Sequence, residues 1–262
     1  MRSTRLLSPD QFADVFEPLL PSRVGYVRPY GNVGDKLIES ATLQLFAEFG
    51  VRWKYQSHEG PLEPRVDHLV YGGGGNMGTF YRDNWEQRGQ ALRLGLPMTI
   101  LPQTFTSAED RDYARIYVRE RDSLRLCPTA TLAPDLALGL VWKRSTPPTK
   151  DLGVFLRGDV ESAVNRRWWS RDPARMCRTP EAYLNLAASY RRLVTDRLHF
   201  AICGLIAGRD VALLPNSYYK NRAMHATWLE DLGCRFAASV SEAVAALTVT
   251  NRSHSLFWRL AG

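Results

Sequence analysis

The feature that most constrains this chain is a repeated alternation. Short β-rich runs are each followed by an amphipathic stretch, which is the pattern of βα units wound around a largely parallel sheet. Strands are expected at residues 24–28, 52–56, 68–71, 98–101, 116–119 and 131–133. Residues 35–49 read as a helix, with Leu37, Ile38, Ala41, Leu45 and Phe49 on one face and Gly50 as its stop. Near the start, Ser8-Pro9-Asp10-Gln11 reads as a capping box that opens a helix. The alternation pauses at the polar, proline-rich stretch Lys143-Arg144-Ser145-Thr146-Pro147-Pro148-Thr149-Lys150, which has the character of a linker. It restarts with Gly153-Val154-Phe155-Leu156-Arg157 and continues with strands at 193–195 and 211–214. The expected architecture is therefore two Rossmann-like α/β domains, 1–145 and 151–262, facing each other across a cleft.

The length of 262 residues suits two such domains. Hydrophobic residues at 45% and charged residues at 23% exclude a disordered, collagen-like or coiled-coil chain. No apolar run approaches the roughly 18 residues that a bilayer span needs, and the first twenty residues show no apolar core of a signal peptide. Cys127, Cys177, Cys203 and Cys234 are scattered, without a C-x-x-C pair, so neither a metal site nor a disulfide framework is expected, and a reduced cytoplasmic setting is. The net charge is +7, and five lysines among 34 basic residues leave 34 − 5 = 29 arginines. Guanidinium groups bind planar anions with paired hydrogen bonds, so an anionic ligand suits this excess, as codon bias equally does.

Three segments have the composition of a site. Tyr30-Gly31-Asn32-Val33-Gly34-Asp35 joins a strand to a helix, where glycines admit a ligand to the backbone and exposed N–H groups favour an anion or sugar hydroxyls. A tight turn with Asp35 as N-cap explains the same residues. Gly72-Gly73-Gly74-Gly75-Asn76-Met77-Gly78 follows a strand at the end where open α/β sheets bind ligands, and reads as a loop pressed close to something, or else as a flexible connector. In Thr195-Asp196-Arg197-Leu198-His199, an extended segment would send Arg197 and His199 to one side, beside the start of the next helix, an arrangement suited to phosphate. Leu214-Pro215-Asn216-Ser217-Tyr218-Tyr219-Lys220-Asn221 adds polar groups and a cation, and the basic, tryptophan-bearing stretch 165–171 suits sugar stacking, an anionic membrane surface or a plain solvated loop.

As an ordered set these motifs resemble the polysaccharide pyruvyl transferase family. The set comprises Gly31-Asn32-Val33-Gly34-Asp35, Gly75-Asn76, Leu101-Pro102-Gln103, Val118-Arg119-Glu120 with Ser123, Ala133-Pro134-Asp135-Leu136-Ala137-Leu138, Asp196-Arg197-Leu198-His199 and Asn216-Ser217-Tyr218-Tyr219-Lys220. The resemblance implies a glycosyltransferase-B-like pair of domains that moves pyruvate from phosphoenolpyruvate onto two hydroxyls of a sugar. It places Arg197 and His199 at the phosphoenolpyruvate site, in the C-terminal domain, and leaves the N-terminal domain to the acceptor. Glu120 departs from the aspartate common in the family at that point.

The chemistry assigns provisional roles. A donor with a carboxylate and a phosphate needs several fixed cations, for which Arg197, Arg157, Arg119 and Lys220 are the candidates, with Asn216 as a polar contact. Ketal formation needs an acid at the methylene carbon and a base at the hydroxyls. His199 is the candidate acid or a phosphate contact, and Asp35 either orients or deprotonates the sugar. Gly31, Asn32, Gly34, Gly74, Asn76 and Gln103 are the expected acceptor contacts. No cofactor, metal or nucleic acid is expected; the partners are phosphoenolpyruvate and an oligosaccharide, lipid-linked or polymeric, with peripheral contact at the inner face of the plasma membrane as an option. A nucleotide-sugar-dependent glycosyltransferase of the same architecture and a non-catalytic carbohydrate-binding protein are the alternative readings.

Overall fold

The computed structural model describes residues 3–143, 147–163 and 170–257. The chain divides into two compact units, one of Arg5–Trp142 and one of Met1–Thr4 with Lys143–Gly262. The two-residue strands β1 (Ser3–Thr4) and β9 (Trp142–Lys143) lie where the chain passes from one unit to the other. Most of the basic, tryptophan-bearing stretch at 165–171 falls outside the described residues.

The Arg5–Trp142 unit opens with a 3-10 turn, Pro9–Phe12, that runs into the short helix α1 (Ala13–Phe16). The expected capping box does not form. In the tight turn the Gln11 N–H is already taken by the Ser8 carbonyl, and the Ser8 side chain makes no capping bond. The sheet follows: β2 (Arg23–Val27), β3 (Arg52–Tyr55), β4 (His68–Tyr71), β5 (Gly74–Met77), β6 (Met98–Phe105), β7 (Arg115–Val118) and β8 (Thr131–Leu132). Its order is β3-β2-β4-β6-β7-β8, with β5 added on β6, and every pairing is parallel. The order reverses at β2, which has β3 on one side and β4 on the other. A ligand crevice belongs at the carboxyl ends of strands at such a switch point.

Two elements depart from the sequence reading. The second half of the glycine run is the strand β5, with Gly74 opposite Gln103 and Met77 opposite Phe105, so the segment is half loop and half sheet. Strand β6 also runs on past Leu101 through Pro102 to Phe105. Its register on β7 slips between Ile100 and Gln103, and a bulge is where a strand tolerates a residue without an N–H donor. Helix α2 (Val33–Phe49) begins two residues before the expected start, and it stops at Gly50 with φ 72 in the left-handed region. Leu37, Ile38, Ala41, Leu45 and Phe46 are its buried face, while Phe49 stacks on Phe16 with ring centroids 5.3 Å apart. Helix α3 (Arg82–Leu92) covers β5 with a face that buries Asn84, Gln87, Arg88 and Ala91. Apolar packing is concentrated between the strands and their helices, in a cluster that includes Leu69, Tyr71, Ile100, Phe105 and Val118.

The second unit is a four-stranded parallel sheet in sequence order, β10 (Lys150–Phe155), β11 (Tyr190–Thr195), β12 (Asp210–Leu213) and β13 (Arg235–Phe236). Its helices are α4 (Pro173–Met176), α5 (Pro180–Ala188), α6 (Leu198–Ile206), α7 (Lys220–Met224) and α8 (Val240–Phe257). Leu156, Val194, Ala212, Leu214, Ala243 and Leu247 form its core. Helix α6 is apolar all round and correspondingly buried, and His199 in its first turn is its one residue that is not fully buried. All four cysteines are free and buried. Among the described residues no helix is long and apolar enough to cross a membrane.

Candidate functional site

In the Arg5–Trp142 unit the polar residues gather at the switch point. Asn32 is the N-cap of α2: its Oδ1 accepts from Gly34 N at 2.8 Å, and Asp35 Oδ2 accepts from Asn32 N at 2.8 Å, which completes a capping box. The cap is therefore Asn32 and not Asp35, since Asp35 stands three residues on and supplies the reciprocal carboxylate. The box also explains Gly31, where a Cβ would lie 2.1 Å from Asp35 Oδ2. Across from it, a Cβ on Gly74 would lie 3.3 Å from Asp35 Oδ1, 3.2 Å from Asn76 Nδ2 and 3.5 Å from Gln103 Oε1. Gln103 is fully buried and anchors the glycine run, donating from Nε2 to Gly72 O at 2.6 Å and accepting from Asn76 N at 3.1 Å. The structure thus brings Gly31, Asn32, Gly34, Asp35, Gly74, Asn76 and Gln103 into one cluster.

Arg119 stands apart from it. The side chain is 1% exposed, donates to Asp135 Oδ2 at 2.7 Å and to Thr104 Oγ1 at 2.8 Å, and pairs more loosely with Glu120. These contacts are those of an internal strut, because Asp135 and Glu120 are themselves fully buried and enclose the guanidinium. Burial pushes Glu120 up to about 7 despite Arg119 and the hydroxyls of Ser123 and Thr104.

In the second unit a denser cluster sits just beyond the carboxyl ends of β10, β11 and β12. Arg157 follows β10; its N–H donates to Asp196 Oδ1 at 2.7 Å, its Nε to Asp159 Oδ1 at 2.8 Å, and its Nη1 pairs with Glu161. Arg197, the N-cap of α6, meets Asp172 with Nε on Oδ1 at 3.0 Å and Nη2 on Oδ2 at 2.6 Å, and meets Asp159 at 2.7 Å. Lys220 and Asn216 both donate to Glu161 Oε2, and Asn221 ties the strand ends together by donating to the carbonyls of Asp196 and Leu214. Arg157, Arg197, Lys220 and Asn216 are all more than nine-tenths buried. His199 lies two residues beyond Arg197, inside the helix, so the two do not share an extended segment as the sequence suggested.

The electrostatics follow from this mixture. Burial works against the Arg197 guanidinium, but its hydrogen bonds to Asp172 outweigh the penalty and hold its pKa above the ordinary value. Burial likewise opposes the Asp159 carboxylate, yet Arg157 holds it below the usual range. Asp196 behaves in the opposite way: burial pushes it up to about 6 in spite of the Arg157 N–H and both guanidinium groups, and its Oδ2 has no hydrogen-bond partner among the described residues. The cations stand out in the sequence, whereas Asp159, Glu161 and Asp172, which neutralise them, carry no local signal there.

Two α/β units, each with a parallel sheet and a cluster of polar side chains at one end of it, define a Rossmann-like α/β protein. The chain belongs to the polysaccharide pyruvyl transferase family, whose model matches residues 26–218. It is accordingly a transferase of the class that moves pyruvyl groups to polysaccharide. Among solved structures, an uncharacterized protein from Klebsiella pneumoniae subsp. pneumoniae NTUH-K2044 shares the fold with a TM-score of 0.75 and 22% identity, over 87% of this chain and 98% of that one. The glycotransferase of kitacinnamycin is a more remote likeness, with a TM-score of 0.43 and 12% identity over 86% of this chain and 88% of its own. No curated protein matches the chain.

Proposed function

We propose that this protein transfers pyruvate from phosphoenolpyruvate to two hydroxyls of a hexose, in an exopolysaccharide or its lipid-linked precursor, giving a cyclic ketal and free phosphate. The observation that carries the reading is the gathering of Arg157, Arg197 and Lys220 beyond three adjacent strand ends, at the amino end of α6. A phosphate with a neighbouring carboxylate matches such a set of fixed cations and helix N–H groups. The donor exchanges with Asp159 and Glu161 for the guanidinium edges they occupy, while Asp172 keeps Arg197 in place from behind.

In the reaction two sugar oxygens bond to the central carbon of the donor, and the carbon–oxygen bond to phosphate breaks. Of the two hydroxyl protons displaced, one is balanced by the new methyl group and the other by the released phosphate. His199, the one partly exposed member of an otherwise buried helix, supplies the proton to the methylene carbon. Asp35 takes a proton from the acceptor, which Gly31, Asn32, Gly34, Gly74, Asn76 and Gln103 help to seat in the N-terminal unit. No cofactor enters this scheme. Phosphoenolpyruvate is a cytoplasmic metabolite, so the reaction belongs in the cytoplasm, at the inner face of the plasma membrane when the acceptor is lipid-linked. The decisive experiment supplies phosphoenolpyruvate and hexose-containing oligosaccharides and reads phosphate release with the matching mass gain on the sugar. Consumption of a nucleotide sugar in place of phosphoenolpyruvate would replace this reading.

A further inference from the structure

One fully buried ion pair holds the glycine run from behind. Arg88 on α3 donates from Nη1 to Asn76 O at 3.1 Å and Asn76 Oδ1 at 3.3 Å, and from Nη2 to Gly78 O at 3.1 Å. The same guanidinium is forked on Glu109, with Nε 3.1 Å from Oε1 and Nη2 2.5 Å from Oε2. Glu109 in turn accepts from Gly78 N at 3.0 Å and from the Tyr113 hydroxyl. Burial works against both charges, but their mutual hydrogen bonds outweigh it, so Arg88 sits above its ordinary pKa and Glu109 below. Neither group reaches solvent, and the reaction scheme uses neither.

The consequence of the pair falls on Asn76. A guanidinium only donates, so it accepts only the carbonyl end of the Asn76 amide, and the NH2 end is turned the other way. There Nδ2 lies 3.2 Å from the position a Gly74 Cβ would take, beside Asp35 Oδ1 at 3.3 Å from the same point. Asn76 is 5% exposed and its Nδ2 has no hydrogen-bond partner among the described residues. A buried donor without a partner is costly to leave unsatisfied, and a ligand hydroxyl would satisfy it.

We propose that the Arg88–Glu109 pair is a positioning element that aims Asn76 Nδ2 at a hydroxyl of the sugar acceptor, beside Asp35. This rests on the assignment of the acceptor to the N-terminal unit. A hydroxyl that accepts from Nδ2 is left with its own proton directed at the Asp35 carboxylate, so the rigid amide sets which hydroxyl reacts. Arginine is needed because one planar fork must hold the side chain and two backbone carbonyls at once, which an ammonium group does not do.

The test uses the uniformly 15N-labelled full chain with lactose and cellobiose as probes, with the Asn76 side-chain amide signal identified by its loss in Asn76→Ser. One of the sugars should move the Asn76 signal in the unsubstituted protein, and Arg88→Lys should weaken that sugar's binding about tenfold, the worth of one hydrogen bond. Affinity read from the backbone amides of residues 72–78 should show no further loss when Arg88→Lys is added to Asn76→Ala, whereas a general structural role gives additive losses. Glu109→Gln relaxes the same brace and takes the place of Arg88→Lys if that variant does not fold. An Asn76 signal that neither sugar moves, or additive losses, overturns the inference. Sugar-induced shifts without phosphate release count against pyruvyl transfer alone; phosphate release with an unmoved Asn76 signal counts against the positioning role alone.

Discussion

Arg197 and Asp172 face each other through two parallel hydrogen bonds, one from Nε and one from Nη2, with the carboxylate fully buried. A guanidinium gripped along one edge is oriented before any ligand arrives, and Nη1 is the nitrogen that Asp172 does not engage. Substitution at position 197 therefore has two separable effects. Arg197→Ala leaves Asp172 buried without its partner and should lower the melting temperature as well as phosphoenolpyruvate affinity. Arg197→Lys keeps the charge, loses the fork, and should weaken donor binding less than Arg197→Ala does. A charge-assisted hydrogen bond of roughly 1.5–3 kcal/mol sets the scale at about tenfold to a hundredfold. Isothermal titration with phosphoenolpyruvate and melting curves on the same preparations check both effects; undiminished donor affinity in both variants removes Arg197 from the site.

For His199 the kinetics decide among roles. His199→Asn should retain the fold and much of the donor binding while turnover falls by the roughly 10²–10⁴-fold typical of a lost proton donor. If turnover recovers at saturating phosphoenolpyruvate, His199 is a phosphate contact and not the acid. The N-cap position of the helix is Arg197 and not His199, so a loss of stability without a kinetic effect is not expected.

The glycine positions test the acceptor cluster. Gly74 has φ +157 and three polar side-chain atoms around its would-be Cβ, so Gly74→Val should abolish or sharply reduce acceptor turnover with donor affinity little changed. Gly31→Ala should act through Asp35, since the methyl group would occupy the space of its carboxylate and break the capping box. Parallel measurement of donor binding and transfer rate separates these outcomes from unfolding. Normal transfer by the Gly74 variant would show that the run is only a connector.

Asp196 gives a pH signature. Burial raises its pKa to about 6, above the ordinary carboxylate value, so the folded state holds a proton that the unfolded chain has already released. The contribution of this group to stability is full below the unfolded pKa and is lost as pH rises through about 6. Asp196→Asn should therefore melt higher than the parent at about pH 8, with the gain shrinking towards about pH 4. It should also bind phosphoenolpyruvate more tightly near neutrality, because a negative charge beside Arg157 is gone. A melting difference that does not vary with pH would show that Asp196 does not titrate in this range.

Much of the fold was legible because strand interiors in a parallel sheet are continuous apolar runs: His68-Leu69-Val70-Tyr71 is buried at every position and was read as a strand with the bounds it has. The α2 start was misread by two residues because Asn32 and Asp35 both suit a cap, and only the geometry shows which oxygen takes which N–H. Helix α3 escaped notice altogether. It turns Asn84, Gln87 and Arg88 inwards, and a search for apolar periodicity is blind to a buried polar face. The same limit hides the acidic half of the cluster around Arg157, Arg197 and Lys220. Glu161 meets Lys220 across 59 residues and Asp172 meets Arg197 across 25, and no local spacing encodes such pairings.

The buried thiols have a practical corollary. Burial raises the thiol pKa of Cys177 and Cys203 and pushes that of Cys234 up to about 12, while Cys127 is also shielded. A reactive cysteine needs both access and thiolate character, so the native set forms a quiet background to maleimide reagents. Val160 is 77% exposed and stands between Asp159 and Glu161, the two carboxylates that the proposed donor would displace. A fluorophore attached through Val160→Cys would therefore carry the only readily labelled thiol, and would report the charge exchange that the proposed donor binding entails.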